Sequence, residues 1–417
     1  MKKIKINGGK ELKGTIKISG AKNSAVALVP ASLLSDGVVS IDNVPNISDI
    51  DALNEILEYL GAKVVRENDR MIIDQSNLEN REIPEVKAKK LRASYYFMSA
   101  LLGKYKHVEM YFPGGCSIGA RPIDQTLKGY RALGAEVIEE GNKFIITADE
   151  LVGNEVSLDM PSVGATINTM LVAVKAKGIT TILNAAKEPE IVNVATFLNN
   201  MGAKISGAGT SEIKIEGVSK LKDGFIEVIP DRIEAGTYVI AGALVGNKLK
   251  IENIIPDHIE SLTSKLKEMN VPIEIYDDYL IVSKANKMKN VTVKTLGYPG
   301  FPTDLQQPMT TLLIGCAGKS ILEETIYENR FQNVAFLNEM GADIIIDKRK
   351  IYINGPKELI GKEVVATDLR AGACLVLAGL KASGTTIIKD VEHILRGYEN
   401  IIEKLTNVGA DIVLVDE

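Results

Sequence analysis

The sequence predicts an α/β protein of two pseudo-threefold domains, built from six βαβαββ repeats. Three observations lead there. At 417 residues the chain exceeds one ordinary core and suits two domains of about 200 residues. An apolar-Gly-Ala turn recurs roughly every 70 residues: Leu60-Gly61-Ala62, Leu133-Gly134-Ala135, Met201-Gly202-Ala203, Met340-Gly341-Ala342 and Val408-Gly409-Ala410, with Met269-Asn270-Val271 filling the gap. Each turn joins a helix-period stretch to a β-branched run.

Within a repeat, an early strand leads to a strongly apolar helix, as in 21–34 or 161–175, and then to a second strand. The second helix is amphipathic, as in Ile50 to Leu60. Glycine after it takes the left-handed conformation at little cost, so the helix stops and the next strand, such as Lys63-Val64-Val65, begins at once. Six units this long divide into two groups of three, with a break near Gly217 to Gly224 and a cleft between the halves. A solenoid is the other architecture six repeats allow.

The loops entering the helices are rich in Gly, Pro, Ser and Asp: Ser19-Gly20-Ala21-Lys22-Asn23, Pro113-Gly114-Gly115-Cys116-Ser117 and Phe301-Pro302-Thr303-Asp304. Such loops present free N–H groups and the positive end of a helix dipole, which favour phosphate or carboxylate. Pseudo-symmetry predicts that these helix starts converge on an anionic ligand.

Composition narrows the functional classes. A net charge of −5 with no Trp argues against a nucleic-acid partner. Cys116, Cys316 and Cys374 are too scattered for a disulfide framework and suit a reducing cytoplasm. His107, His258 and His393 lie far apart, so no metal site is expected. Residues 1–20 lack a secretory apolar stretch and no window reads as a membrane span, so a cytoplasmic protein is expected.

Arginines repeat at matching places. Arg92 and Arg370 open first helices, Arg121, Arg330 and Arg396 precede second helices, and Lys22 joins them. Converging guanidinium and ammonium groups suit a small polyanion, while pairing with nearby Asp or Glu is the plain alternative. Cys116 sits among Gly114, Gly115 and Gly119 in a loop suited to closing over a ligand, as a general acid or, ionised, as a nucleophile. Cys316 and Cys374 fall in apolar, helical runs as inert core. Asp304, Asp231 and Asp368 stand at helix starts, where capping is the default; Glu188 and Glu190 read as first-turn acids. Gly318-Lys319-Ser320 is not a Walker motif, since its first glycine would fall on Leu313 and the segment lies between a helix and a strand. No dinucleotide fingerprint follows a strand.

The loop motifs, with the run from Ser117 through Ile118, Gly119, Ala120, Arg121, Pro122 and Ile123 to Asp124, and Glu328-Asn329-Arg330-Phe331, closely resemble the enolpyruvyl transferase family, end to end. The resemblance implies two inside-out α/β barrel domains, 21–229 carrying the Cys116 loop and 1–20 plus 230–417, with the site in the cleft between them. It implies transfer of the enolpyruvyl group of phosphoenolpyruvate to the 3′-hydroxyl of UDP-N-acetylglucosamine, without a cofactor. Cys116 would be the acid, and the thiol captured by fosfomycin, with Asp304 the base. Lys22, Asn23, Arg121, Arg330, Arg370 and Arg396 would hold phosphoenolpyruvate. Arg92, Arg121, Pro122, Ile123, Asp124, Gln125, Ser162, Val163, Gly164, Asp304 and Ile326 would contact the nucleotide sugar. Tyr96 and Ser48 stand where some relatives carry tryptophan and lysine. The family's shikimate 3-phosphate branch differs in its first loop, which resembles Pro-Gly-Asp-Lys-Ser, and lacks the Gly-Gly-Cys segment.

Overall fold

The computed structural model describes residues 2–114 and 123–416. The described chain forms two compact units, one of residues up to Ser19 and from Pro230 on, the other of residues between Gly20 and Ile229. Each has its own apolar core. The chain passes from one unit to the other at 19/20 and at 229/230, later than the glycine-rich break near Gly217 to Gly224. That segment is instead internal, because Gly224–Glu227 is a strand pairing with Val38–Asp42.

Each unit holds three sheets, and one repeat shows how they are made. Strand Glu155–Ser157 runs parallel to Ile179–Leu183, with helix Val163–Ala173 as the crossover. Helix Pro189–Asn200 follows, and Lys204–Ser206 and Glu212–Glu216 complete the sheet in antiparallel register. This is the βαβαββ unit read from the sequence. One sheet is reduced to three strands, its first strand surviving as the single bridge Ile83↔Met110.

Helices take the inside and sheets the outside because of their side chains. First helices such as Arg232–Val245 and Leu369–Lys381 are buried almost throughout, as an all-round apolar helix must be. They pack on one another and on Gln306–Leu313. Strands such as Glu212–Glu216 alternate exposed and buried residues, presenting one face to the helices and one to water.

Three repeats are not continuous in sequence. Thr15–Lys17 pairs in parallel with Leu249–Glu252, so its crossover helix is Arg232–Val245, and the helix that follows it directly, Lys22–Ala31, belongs to the other unit. Gly224–Glu227 serves the Lys22–Ala31 helix in the same exchanged way. The last repeat is closed by Lys2–Asn7, which lies between Thr385–Lys389 and Asp411–Asp416.

Cys316 corrects one reading: it opens strand Cys316–Glu323, not a helix, and Gly318-Lys319-Ser320 lies within that strand. Cys374 is in a helix as read. Burial pushes both thiols up to about 11.

Candidate functional site

In the unit of residues from Pro230 on, three candidates meet. Thr303–Leu305 forms one 3₁₀ turn ahead of helix Gln306–Leu313, and neither has a side-chain cap. Asp304 therefore does not cap its helix. Its Oδ1 accepts from Arg330 Nη2 at 2.8 Å and its Oδ2 from Arg370 Nη2 at 3.1 Å. Both arginine side chains are only 4% exposed, against 24% for Asp304.

The arginines are themselves fixed. Arg330 Nη1 donates to Thr303 Oγ1 at 2.7 Å and its guanidinium lies 5.2 Å from the Tyr327 ring centroid. Arg370 Nη1 donates to the Tyr398 hydroxyl at 3.1 Å, which exchanges a 2.8 Å hydrogen bond with Thr237. Burial works against the Arg370 cation, yet Tyr398, Asp304 and Asp231 outweigh it and its pKa is raised. Such a desolvated, multiply bonded cation is costly to leave unpaired. Arg396 follows the short helix Glu392–Leu395, two residues before Tyr398. Ile326 is part-exposed, its N–H held at 2.8 Å by Glu324.

Asp231 and Asp368 keep the default role. Asp231 accepts from the N–H groups of Ile233 and Glu234, Asp368 from those of Arg370 and Ala371. The Asp368 cap thus aims the helix turn that carries Arg370.

The other unit places a second set. Lys22 opens helix Lys22–Ala31, followed by Asn23, and its Nζ lies 3.0 Å from Asp49 Oδ2 in the first turn of Ser48–Tyr59. Arg92 lies 5.5 Å from the Tyr95 ring centroid. The Tyr95 hydroxyl fills the space beside Gly164, where a Cβ would come within 1.9 Å of it. Arg92 and the Gly164 turn are so brought together through Tyr95. Ser162 caps helix Val163–Ala173 by accepting from Ala165 N–H at 3.2 Å. Ile123 packs on the core. Asp124 and Gln125 open helix Asp124–Ala132, and Gln125 is clamped to Asp159 by bonds of 2.8 and 2.9 Å. Cys116, Arg121 and Pro122 lie outside the described residues.

Sequence reasoning passed over Thr303, Glu324, Tyr398 and Asp49. Glu324 had a signal: Ser320 and Leu322 are the inward residues of strand Cys316–Glu323, so the period of two carries Glu324 inward as well.

Among the described residues, no three His, Cys, Asp or Glu side chains gather as a metal-ligand set, and no helix is long and apolar enough to cross a membrane.

Comparison with known proteins agrees along the whole chain. Residues 6–405 match the family model EPSP synthase (3-phosphoshikimate 1-carboxyvinyltransferase). The chain is 52% identical over 412 residues to UDP-N-acetylglucosamine 1-carboxyvinyltransferase 2 of Geobacillus kaustophilus, covering 99% of this chain and 96% of the relative. It is 53% identical over 413 residues to the protein of that name in Bacillus subtilis, with the same coverage. The crystal structure of the enolpyruvyl transferase NikO from Streptomyces tendae superposes with a TM-score of 0.90 at 25% identity, covering 99% of both chains. EPSP synthase from Acinetobacter baumannii shares the fold, with a TM-score of 0.77 at 18% identity and full coverage of both. By its end-to-end match the chain belongs to the EPSP synthase (3-phosphoshikimate 1-carboxyvinyltransferase) family of enolpyruvyl transferases, among the UDP-N-acetylglucosamine 1-carboxyvinyltransferases.

Proposed function

We propose that this protein transfers the enolpyruvyl group of phosphoenolpyruvate to the 3′-hydroxyl of UDP-N-acetylglucosamine, releasing phosphate, as the first committed step of peptidoglycan synthesis in the cytoplasm. The observation that carries the chemistry is the Asp304 carboxylate set between two buried guanidinium groups. The acceptor follows from the names of the high-identity relatives.

In the addition step the sugar oxygen bonds to C2 of phosphoenolpyruvate while C3 takes a proton. In the elimination step C3 gives up a proton and phosphate leaves from C2. An ionised carboxylate has about four acceptor positions, so Asp304 can hold both arginines and still take the hydroxyl proton. Cys116 is the proton donor to C3, and the thiol that bonds covalently to phosphoenolpyruvate or fosfomycin. Positioned acids and bases commonly contribute about 10²–10⁴-fold each.

Lys22, Arg121 and Arg396, with Arg330 and Arg370, neutralise the phosphate and carboxylate of the donor. Asn23 places the reacting groups. Arg92, the Arg121 to Gln125 stretch, Ser162 to Gly164 and Ile326 recognise the nucleotide sugar. Through wall growth the activity bears on cell shape and division.

The test is phosphate release from phosphoenolpyruvate with UDP-N-acetylglucosamine, with shikimate 3-phosphate, and with no acceptor. Release with the sugar nucleotide alone supports the reading. Release only with shikimate 3-phosphate keeps the family and overturns the acceptor; release with neither overturns the activity.

A further inference from the structure

Glu324 is fully buried (0% exposed), and among the described residues no Lys or Arg forms a salt bridge with it. Its carboxylate is held by hydroxyl and backbone donors. Oε1 accepts from Thr295 Oγ1 at 2.9 Å, Ile326 N–H at 2.8 Å and Tyr327 N–H at 3.2 Å. Oε2 accepts from Thr303 Oγ1 at 2.8 Å. Burying a carboxylate among neutral donors is costly, and a fold that needed only a turn here could make one with a neutral residue.

What the charge does is visible one bond further on. Because the Thr303 hydroxyl proton is spent on Glu324, its oxygen is left as an acceptor, and Arg330 Nη1 donates to it at 2.7 Å. Arg330 Nη2 then reaches Asp304 Oδ1 at 2.8 Å. The other carboxylate oxygen fixes the backbone of Ile326 and of Tyr327, whose ring lies under the Arg330 guanidinium. One side chain thus sets both the turn that carries Asp304 and the segment that flanks Arg330. Charge-assisted bonds in sequence polarise each other, so the end of such a chain feels its beginning.

We propose that Glu324 is a positioning residue of the transfer reaction, which orients Thr303 and thereby holds Arg330 and Asp304 in register. The assignment rests on the functional reading above. Glutamine is the sharp probe: its oxygen replaces Oε1, but its NH₂ faces Thr303 and competes with Arg330 for the hydroxyl oxygen.

The experiment measures kcat and both KM values for Glu324→Gln, Thr303→Val and Thr303→Ser, alongside thermal unfolding. The expected result is a kcat lowered about tenfold or more in the first two, with KM for UDP-N-acetylglucosamine changed by less than about threefold, since the Ile326 backbone stays held. Thr303→Ser recovers most of what Thr303→Val loses, and the two damaging changes combine less than additively because they cut one chain. A kcat within about twofold of wild type in both Glu324→Gln and Thr303→Val overturns the proposal. If Glu324→Gln does not fold, the valine–serine contrast at Thr303 decides: equal turnover in the two overturns it. If wild-type protein releases phosphate with neither acceptor, the functional reading fails on its own. The positioning is then read from a crystal structure of Glu324→Gln, where loss of the Arg330–Thr303 contact is expected and its retention overturns the proposal.

Discussion

Asp304 stands where aspartates ordinarily cap helices, yet Pro302 and Leu305 flank its turns without side-chain caps and its carboxylate goes to Arg330 and Arg370 instead. Hydrogen bonds between charged groups contribute roughly 1.5–3 kcal/mol each, more than a cap of about 1 kcal/mol. Asp304→Asn removes an acceptor and turns an NH₂ toward a guanidinium. Turnover is expected to fall by about 10²–10⁴-fold in a steady-state phosphate-release assay, while unfolding remains cooperative. The thiols make a second contrast. Cys316 and Cys374 are buried with pKa values near 11, so neither is ionised at neutral pH or open to an electrophile. Cys116→Asp is expected to keep turnover, because a protonated carboxyl can replace the acid, and to escape inactivation by fosfomycin. Time-dependent loss of activity in that variant would assign the drug to another group.

At the scale of the element, one capping geometry recurs in all six repeats. After helix Ser48–Tyr59 and its C-cap Leu60, Gly61 N–H donates to Glu58 O and Ala62 N–H to Leu57 O, both at 3.0 Å. The same pair of bonds closes the turns at Gly134, Gly202, Asn270, Gly341 and Gly409, with φ between +63° and +108°. These are 6→1 and 5→2 bonds that satisfy the last carbonyls of the helix. The turns differ in how much room they leave. A Cβ on Gly202 meets nothing within 4 Å, whereas one on Gly61 falls 2.3 Å from the Asn77 carbonyl oxygen. Gly202→Ala is expected to cost about 1 kcal/mol, the left-handed penalty alone. Gly61→Ala is expected to cost clearly more in the same denaturant titration; equal costs would mean that the Asn77 loop yields freely.

For the whole molecule, the threading has consequences that no single repeat shows. Lys2–Asn7 lies inside a sheet between two strands from the far end of the chain. Removing residues 1–7 is expected to open that sheet and abolish cooperative unfolding of the unit from Pro230 on, read by circular dichroism and limited proteolysis. A native-like melting curve would refute this. Where the chain leaves that unit, Ser19 N–H donates to Glu234 Oε2 at 2.8 Å. Lys404 Nζ donates to Glu234 Oε1 at 2.6 Å and to Ser19 Oγ at 2.7 Å, and Ser19 Oγ donates to Glu399. Burial, with Asp231 adding to it and Lys404 opposing it, pushes the Glu234 carboxyl up to about 7 from its ordinary 4.5. An acid whose folded pKa is raised binds its proton more tightly when folded. Its contribution to stability therefore falls as pH rises from about 4.5 to about 7, and is constant above. Compared with Glu234→Gln, which does not titrate there, the wild type is expected to lose stability over that window and to track the variant above it. A difference that does not vary with pH would contradict the shift.

The periodic features were legible in the sequence because they are local. A glycine after an amphipathic helix answers to φ alone, and alternation in a strand answers to water on one face, so six βαβαββ units could be read without knowing their neighbours. The strand-to-helix positions of Asp304, Arg330 and Arg370 were legible for the same reason. Their meeting was not. It depends on three repeats packing their first helices together, a long-range arrangement that no spacing along the chain encodes. Glu324 follows the same rule: its inward parity was visible, but the Thr303 hydroxyl it orients comes from a different turn. Cys316 was misread because a short apolar run fits a buried helix or a buried strand equally well. The exchange of first strands between the units likewise belongs to tertiary structure. Thr15–Lys17 and Gly224–Glu227 carry the same local pattern as any other first strand, and only the sheets available to pair with them decide which repeat each one completes.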